Sequence, residues 1–328
     1  KFFLFMKILY IGNTATYRYC KEGINPSHWL YGAIEMEKDG HEVVWTDENS
    51  SLFNDWNLIR KHKPYCVFIP NLNMRAHLML AILSMLGIVR CSIYGFLHHT
   101  PKGGKAKCLY KIFLRGVTHI FFLSKKTMEE TIERGYVHCR KCSVPGWGPD
   151  MDFYDKVAKK KGKWFVSTGK ENRDFDILIE AFKRTGAPLK IITARSHAGN
   201  EYGDLKEKCL DIKNIEVIIT ENTGSVYPLM LEAMAEAKAL VCPLLKDKLN
   251  YCVGLSTIAD AIGLDKPLII THNPYHDASY LDKAKIVETV DDWVKAIEDV
   301  MESVDEDAIR SKMNMASCYQ KIKKEMSL

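Results

Sequence analysis

Short apolar runs alternate with helix-like stretches along the first half of the chain. Apolar runs with strand character occupy residues 6–11, 41–45, 65–69, 91–97 and 118–123. Patterns with a helical period lie between them at residues 25–39, 52–61, 74–86, 105–115 and 125–134. Strands that are apolar throughout and alternate with helices are typical of a parallel sheet covered on both faces. The first half therefore predicts an α/β domain of the Rossmann-like kind.

The alternation stops near Pro145 and restarts near Trp164. Proline, glycine and charge between these points, including a lysine cluster at residues 159–161, are the composition of a linker. Beyond it the pattern predicts strands at residues 164–167, 189–193, 215–219, 239–243 and 268–270, and a helical tail at residues 291–326. We expect two Rossmann-like domains facing a cleft, at residues 1–155 and 156–328.

The length of the chain agrees with a division into two domains, and its net charge limits the kinds of ligand and partner that we expect. The chain has 328 residues and a mass of 37.5 kDa, more than one hydrophobic core usually supports. Its net charge is +5 and its pI about 8.5, which suits an anionic ligand or transient contact with an anionic membrane surface. Nucleic acid binding usually needs a denser basic patch, so we expect no nucleic acid partner.

The ten cysteines are scattered, and several fall in predicted core strands, which is typical of reduced thiols in a cytoplasmic protein. Cys139 and Cys142 form a CxxC beside His138, but no second pair at zinc spacing follows, so we expect no metal. The segment KFFLF before Met6 is too short for a signal peptide. No run approaches the roughly 18 apolar residues of a membrane span, and we expect none.

Candidate chemistry follows the strand ends, because ligands of open α/β sheets bind beyond the carboxyl ends of the strands. On this argument Gly12, Asn13 and Thr14 come after the first strand, and His98 and His99 come after the strand that ends at Leu97. In the second half, Gly169, Lys170 and Arg173 come after the strand that ends at Ser167.

The stretch VGLSTIADAIGLDKPLIIT, residues 253–271, combines a loop, a helix and a buried strand. Gly254 lets a ligand approach the backbone as the helix begins, and the first-turn N–H groups with the Ser256 and Thr257 hydroxyls form a site for phosphate. One turn further on, the Asp260 carboxylate can accept a hydrogen bond from a sugar hydroxyl. An ordinary core helix remains the alternative interpretation of this stretch.

Four segments together resemble glycosyltransferase family 4, which has the two-domain fold known as GT-B. STGKENRDFDILIEAFKRTG followed by LKIITA is similar to the start of that family's donor-binding domain, and residues 253–271 resemble its carboxylate-containing loop, helix and strand. THIFFLSKKTMEE and VPGWGPDMDFY are similar to its strand-to-serine turn and its interdomain linker. The resemblance covers nearly the whole chain from Met6.

The resemblance implies roles for particular residues. Lys170 and Arg173 would contact the donor diphosphate, with the turn formed by Gly254, Leu255, Ser256 and Thr257 on its other side. Asp260 would take the place of the family's second glutamate near the ribose, and His98 or His99 that of the histidine near the donor sugar. Gly12, Asn13 and Thr14 would lie on the acceptor side. Cys252 stands where the family has its first glutamate, and a thiol cannot replace a carboxylate as acceptor for sugar hydroxyls.

The preferred hypothesis is a retaining glycosyltransferase without a metal or other cofactor, which moves a sugar from a nucleotide-diphosphate sugar to a glycan, lipid-linked or small-molecule acceptor. A sugar-nucleotide epimerase of the same fold is the alternative enzyme. A two-lobe solute-binding protein is a third class, although such proteins are exported. A dinucleotide-dependent oxidoreductase would need GxGxxG after a strand, and the residues after Gly12 lack the later glycines.

Overall fold

The computed structural model describes residues 5–46, 52–221, 224–303, 308 and 312–328. The chain forms two compact units. It passes from the first unit to the second between Gly148 and Pro149, a few residues before the boundary expected from the sequence. The first unit consists of Lys1–Glu22, Pro26–Gly148 and Met313–Leu328, and the second of Gly23–Asn25 and Pro149–Lys312.

A six-stranded, fully parallel sheet forms the centre of the first unit, with strand order β2-β1-β3-β4-β5-β6. Its strands are β1 (Lys7–Ile11), β2 (Glu42–Thr46), β3 (Cys66–Ile69), β4 (Ser92–Phe96), β5 (His119–Phe121) and β6 (Cys142–Ser143). The helices of this part are α1 (Thr14–Lys21), α2 (Ala33–Lys38), α3 (Leu52–His62), α4 (Met74–Met85), α5 (Lys107–Gly116) and α6 (Lys125–Glu133).

Both faces of this sheet are buried, which is why the central strands β1, β3 and β4 are largely apolar. Successive side chains of a strand point to opposite faces. Leu9 and Val67 accordingly join the core beneath α4 and α5, whereas Tyr10 and Phe68 join a separate core on the other face.

Residues 14–39 differ from the expected pattern. A single helix over residues 25–39 was predicted, but a short 3₁₀ helix (Ser27–Leu30) is separated from α2 by Tyr31 and Gly32, which both have positive φ angles of 50° and 92°. Two successive left-handed residues cannot continue a right-handed helix. Helix α1 was not predicted at all.

The second unit has its own six-stranded parallel sheet, with strand order β11-β8-β7-β12-β13-β14. Its strands, with the side hairpin β9–β10, are β7 (Phe165–Thr168), β8 (Leu189–Ala194), β9 (Ser196–His197), β10 (Asn200–Glu201), β11 (Ile215–Thr220), β12 (Ala239–Cys242), β13 (Leu268–Thr271) and β14 (Lys285–Val287). The helices are α7 (Met151–Tyr154), α8 (Phe175–Thr185), α9 (Leu205–Lys208), α10 (Tyr227–Ala235), α11 (Leu255–Leu264) and α12 (Val290–Glu302).

The segment interpreted as a linker is largely part of the second unit. Asp150 caps α7 by accepting a hydrogen bond from the backbone N–H of Phe153, and Tyr154 at the end of α7 is fully buried. Gly263 of α11 makes room for the Tyr154 ring, because a Cβ atom at residue 263 would lie 2.3 Å from Cδ2 of Tyr154. This packing fixes α7 on the second unit.

The predicted helical tail is two helices that belong to different units. Helix α12 stays on the second unit, where Trp293 is fully buried, and α13 (Met315–Met326) belongs to the first. The Tyr319 hydroxyl and the Lys323 ammonium of α13 both donate to Oδ2 of Asp39, at 2.8 and 2.6 Å. Residues 304–307 and 309–311 of the predicted tail lie outside the described residues.

Candidate functional site

Three loops of the second unit meet at one edge of its sheet. Strands β7, β12 and β13 are neighbours, and the loops after β7 and β12 are joined by an antiparallel bridge between Arg173 and Leu244. The N–H of Leu245 also donates to the carbonyl of Asn172 at 2.9 Å. The Thr271 hydroxyl at the end of β13 accepts from the N–H of Leu244 at 2.9 Å. The three loops at the predicted ligand-binding edge are therefore joined to one another by hydrogen bonds.

Helix α11 begins at this edge. Gly254 precedes it with a φ angle of 93°, a backbone conformation that favours glycine, and a Cβ atom there would be in tight contact with Sγ of Cys242 at 3.2 Å. Ser256 in the first turn is exposed, whereas Leu255 and Thr257 are buried. The first N–H groups of a helix have no partner within it and carry partial positive charge, which favours an anion beside Ser256.

Arg173 joins the loop after β7 to this helix start. Its guanidinium donates to the carbonyls of Thr168 and Glu171 at 3.3 and 2.8 Å and to the Thr257 hydroxyl at 3.2 Å, and the residue is only 4% exposed. A guanidinium has five N–H donors, so these three hydrogen bonds do not use all of them. The structure thus brings Arg173 and Thr257 together and gives the arginine a structural role as well.

Lys170 lies in the same loop but is more accessible than Arg173. It is half-buried, and burial lowers the pKa of its ammonium while the adjacent Glu171 carboxylate opposes that shift. An ammonium in this position offers a cation at the edge of the loop, and it is more exposed than the Arg173 guanidinium.

The resemblance implies that Asp260 lies near the nucleotide ribose. In the structure its carboxylate contacts two tyrosine hydroxyls. The hydroxyls of Tyr154 and Tyr227 each lie 2.7 Å from its Oδ1 atom, and the two tyrosine oxygens are 2.8 Å apart. Burial raises the pKa of Asp260 to about 6, although both hydroxyls and the Arg173 charge act in the opposite direction. The carboxylate thus holds α7 and α10 against α11.

The loop after β13 supports the turn before α11. Its residues Asn273 and His276 were not predicted from the sequence as part of the site. The side-chain amide of Asn273 donates to the carbonyls of Tyr251 and Val253 at 3.0 and 3.2 Å, and Nε2 of His276 lies 2.8 Å from the same Val253 carbonyl. Burial lowers the pKa of His276 to about 4, so the ring is neutral. His276 lies shortly after the end of β13, and this position beyond a strand end was the signal in the sequence that could have identified it.

Cys252 is buried in this turn. Burial raises the pKa of its thiol to about 12, so the side chain carries no charge near neutral pH. The position that holds a glutamate in family 4 is therefore occupied here by a neutral, enclosed group.

Residues Gly12, Asn13 and Thr14 lie at the corresponding edge of the first unit. The N–H of Gly12 donates to the Thr46 hydroxyl at 3.3 Å, and the Thr14 hydroxyl donates to the carbonyl of Thr46. The Asn13 side-chain amide donates to the Trp29 carbonyl at 3.4 Å. These contacts order the turn between β1 and α1.

The two histidines after β4 differ in exposure. His98 is half-buried, its Nε2 atom lies 3.0 Å from the Pro70 carbonyl, and its ring lies 5.7 Å from that of Tyr31. His99 is exposed. Strands β1, β3 and β4 are neighbours, so His98 and the turn at residues 12–14 share one edge of the first sheet.

The described residues have neither a cluster of metal-binding side chains nor an apolar helix of membrane-spanning length. These residues contain no group of three or more His, Cys, Asp or Glu side chains placed to hold a metal ion. Cys139 is exposed, and its Sγ atom lies 3.8 Å from Nδ1 of His138. No helix in the described ranges is long and apolar enough to cross a membrane.

The architecture of the chain, unlike its sequence, is similar to that of known proteins. No protein-family model matches the sequence, and no curated protein is significantly similar to it. Among solved structures, HepE from Anabaena in complex with UDP-glucose is similar over 98% of this chain and 95% of its own, with a TM-score of 0.62 and 12% identity. The UDP-forming α,α-trehalose-phosphate synthase of Burkholderia vietnamiensis covers 98% and 94%, with a TM-score of 0.59 and 10% identity. The fold is GT-B.

The GT-B likeness extends to another enzyme class. UDP-GlcNAc 2-epimerase from Neisseria meningitidis, bound to UDP-GlcNAc, is similar over 98% of this chain and 100% of its own, with a TM-score of 0.57 and 10% identity. At these identities the likeness establishes the GT-B architecture predicted from the sequence. Activity has to be argued from the residues.

Proposed function

We propose that this GT-B protein is a retaining, metal-independent glycosyltransferase that moves a sugar from a nucleotide-diphosphate sugar to a glycan, lipid-linked or small-molecule acceptor. The observation that carries the proposal is the contact between Arg173 and Thr257, which joins a cation to a helix N-terminus at the ligand-binding edge of the second sheet. UDP-sugars bound to two structures of the same fold support a nucleotide sugar as ligand.

The proposed chemistry consists of stabilising a leaving diphosphate. The first-turn N–H groups of α11, the exposed Ser256 hydroxyl and the Arg173 and Lys170 cations supply hydrogen bonds and positive charge where negative charge develops. The donor would bind on the second unit and the acceptor on the first, where His98 or His99 and the turn at residues 12–14 are the proposed contacts. No cofactor is required in this scheme.

Asp260 is proposed to act by positioning rather than by touching the sugar. Its carboxylate fixes Tyr154 and Tyr227 against α11 and so sets where the first turn of that helix lies. The ten cysteines are free thiols, which supports a reducing compartment such as the cytoplasm. Transient contact with an anionic membrane surface is part of the proposal.

Calorimetric titration with UDP and with uridine tests the diphosphate site. Charge-assisted hydrogen bonds contribute roughly 1.5–3 kcal/mol each, so Lys170→Ala should weaken UDP binding about tenfold and leave uridine binding nearly unchanged. Lys183→Ala, which removes an exposed lysine of α8, is the matched control for lost charge and should bind UDP like the wild type. Equal losses in the two variants, or equal losses for UDP and uridine, would refute the assignment.

The epimerase is the second candidate, because the Neisseria enzyme has the same fold over nearly the whole chain. Incubation with UDP-GlcNAc in the absence of any acceptor separates the two activities. An epimerase converts the donor into its 2-epimer, whereas a transferase leaves the sugar configuration unchanged and releases UDP only with an acceptor or by slow hydrolysis. Binding without either reaction would indicate a binding protein.

A further inference from the structure

One stretch of the chain has a very unequal charge distribution. Residues 56–128 contain twelve lysines and arginines and no aspartate or glutamate. Because the whole chain has a net charge of only +5, the remainder is net negative. The positive charge is therefore concentrated in the middle of the first unit, which includes α4 and α5.

Helices α4 and α5 pack against each other on one face of the first sheet. They approach closely, since a Cβ atom on Gly116 of α5 would lie 2.2 Å from the carbonyl oxygen of Ala81 in α4. The sides of the helices that carry His77, Leu80, Phe113 and Leu114 are buried. The opposite sides and the adjoining loops carry seven exposed cations, Arg75, Arg90, Lys102, Lys105, Lys107, Lys111 and Arg115.

Large apolar side chains are exposed among these cations. Met79 is 46% exposed, Met85 45%, Leu86 67%, Ile88 52% and Leu109 45%. A helix on a water-covered surface normally has a polar outer side, but the outer side of α4 (MRAHLMLAILSM) carries apolar side chains besides Arg75. We name the exposed side of α4 and α5, with residues 86–90 and 102–106, the α4–α5 surface.

We propose that the α4–α5 surface docks on an anionic lipid membrane. Lysines and arginines near a bilayer are attracted to anionic headgroups, and aliphatic side chains between them can enter the headgroup region. The apolar residues decide between lipid and nucleic acid. Phosphates of RNA would pair with the cations but would leave Met79, Leu86 and Ile88 in water, and single-strand binding relies on aromatic rings, which do not occur among the exposed apolar residues here.

Acidic side chains are few on the flanking helices α3 and α6, whose described residues include Asp55, Glu129, Glu130 and the exposed Glu133. Asp55 on α3 is only 1% exposed. On α6, Glu129 pairs with Lys125 at 3.5 Å, and Glu130 accepts from the Thr100 hydroxyl at 2.9 Å and lies 3.8 Å from Arg134. The field of the seven exposed cations therefore reaches solvent.

Flotation with lipid vesicles tests the proposal on the whole protein. We expect the wild type to bind vesicles of 30% phosphatidylglycerol in phosphatidylcholine at 0.1 M salt, and to bind pure phosphatidylcholine weakly. Each lysine near an anionic bilayer changes partitioning about fivefold, so Lys105→Gln, Lys107→Gln and Lys111→Gln combined should lower it on the order of a hundredfold. The combination Lys159→Gln, Lys161→Gln and Lys163→Gln removes the same charge from an exposed cluster of the second unit and should retain most binding.

The apolar contribution has its own matched pair. Leu86→Ser with Ile88→Ser should lower partitioning about tenfold, whereas Leu210→Ser, which changes an 83% exposed leucine of the second unit, should have no effect. Failure of the wild type to bind, or equal losses in the two lysine triples, would overturn the proposal. Retained binding in the Leu86 and Ile88 variant, together with competition by RNA, would assign the surface to a polyanion instead. The inference rests on the membrane contact included in the proposed function, but no nucleotide is needed in this assay, so its failure would leave the proposed glycosyl transfer untouched.

Discussion

The hydroxyl of Tyr154 donates a 2.7 Å hydrogen bond to Oδ1 of Asp260, which lies 106 residues further along the chain. Tyr227 donates to the same oxygen, so three elements, α7, α10 and α11, meet at one carboxylate. All three side chains are buried, and α11 begins at the candidate diphosphate site. The start of the second unit is thereby tied to the helix that is proposed to bind the donor.

Removing one of these hydroxyls should destabilise the protein. A hydrogen bond to a buried charged group contributes about 1.5–3 kcal/mol, so Tyr154→Phe should lower the free energy of unfolding by that amount in urea denaturation at neutral pH. In an Asp260→Leu background the same substitution should cost much less, which a double-mutant cycle measures. Additive effects of the two substitutions would mean that the hydroxyl and the carboxylate do not interact.

Most strands of both sheets could be predicted because burial on both faces leaves runs of apolar residues, although the short edge strand β14 was not predicted. Residues such as Ile8–Ile11 are apolar for local reasons that the sequence displays. Helix α1 could not be recognised, because its sequence TATYRYCK has no apolar stripe and none of its residues is fully buried. Strand β6 contains only two residues and begins at the second cysteine of the CxxC segment, so it left no pattern of its own.

Site residues were predicted where the strand-end rule applies and missed where distant residues meet. The rule located Arg173, while the turn before α11 was found from a glycine followed by a helix, and the structure joins the two through Thr257. It could not show that Asp260 faces Tyr154, because no local pattern connects positions 106 residues apart. Nor could it show that the Arg173 guanidinium is enclosed, since exposure depends on the packing of three loops.

Asp260 should make the stability of the protein depend on pH. Burial raises its pKa from 3.8 to about 6, so between these pH values the folded protein holds a proton that the unfolded chain releases. Because the native state then binds more protons, this contribution is fully present below about pH 4 and is lost as the pH rises through about 6. The loss is on the order of 3 kcal/mol.

Urea denaturation of the wild type and of Asp260→Asn between pH 4 and 7 measures this contribution. Other titrating groups are common to both proteins and cancel in the difference. The wild type should lose stability relative to Asp260→Asn as the pH rises. Parallel pH profiles would show that the folded and unfolded pKa values of this carboxyl are alike.

Arg173 and Lys170 should differ in stability although they share a loop. Arg173→Ala leaves the buried Thr168 carbonyl, the Glu171 carbonyl and the buried Thr257 hydroxyl without this donor, and we expect a loss of about 3 kcal/mol in urea denaturation. Lys170→Ala should stay within about 0.5 kcal/mol of the wild type, because the side chain is only half-buried. Similar stability in both variants would contradict the enclosed position of the guanidinium.

His276 should remain neutral under mildly acid conditions. Its pKa is lowered to about 4 by burial, and Nε2 donates to the Val253 carbonyl, which fixes the tautomer with the proton on Nε2. In ¹⁵N-labelled protein, the His276 ring signals should keep the pattern of this neutral tautomer from pH 7 down to about pH 5. His276→Asn identifies the signals by their disappearance, and a protonation step near pH 6.5 would disprove the assignment.

A substitution at Gly263 should have the opposite sign from that usual in a helix. Gly263 lies within α11, where replacing glycine by alanine normally stabilises by about 1 kcal/mol through helix propensity. Here the new methyl group would lie 2.3 Å from Cδ2 and 2.5 Å from Cγ of the Tyr154 ring, while the hydrogen bond from Tyr154 to Asp260 opposes movement of the ring. Gly263→Ala should therefore lower the free energy of unfolding by about 1–3 kcal/mol, the usual range for overpacking. Tyr154→Ala removes the obstacle, so in that background Gly263→Ala should become neutral or stabilising when the two are compared by urea denaturation. A gain in stability from Gly263→Ala in the wild-type background would mean that the ring of Tyr154 does not occupy the space beside residue 263.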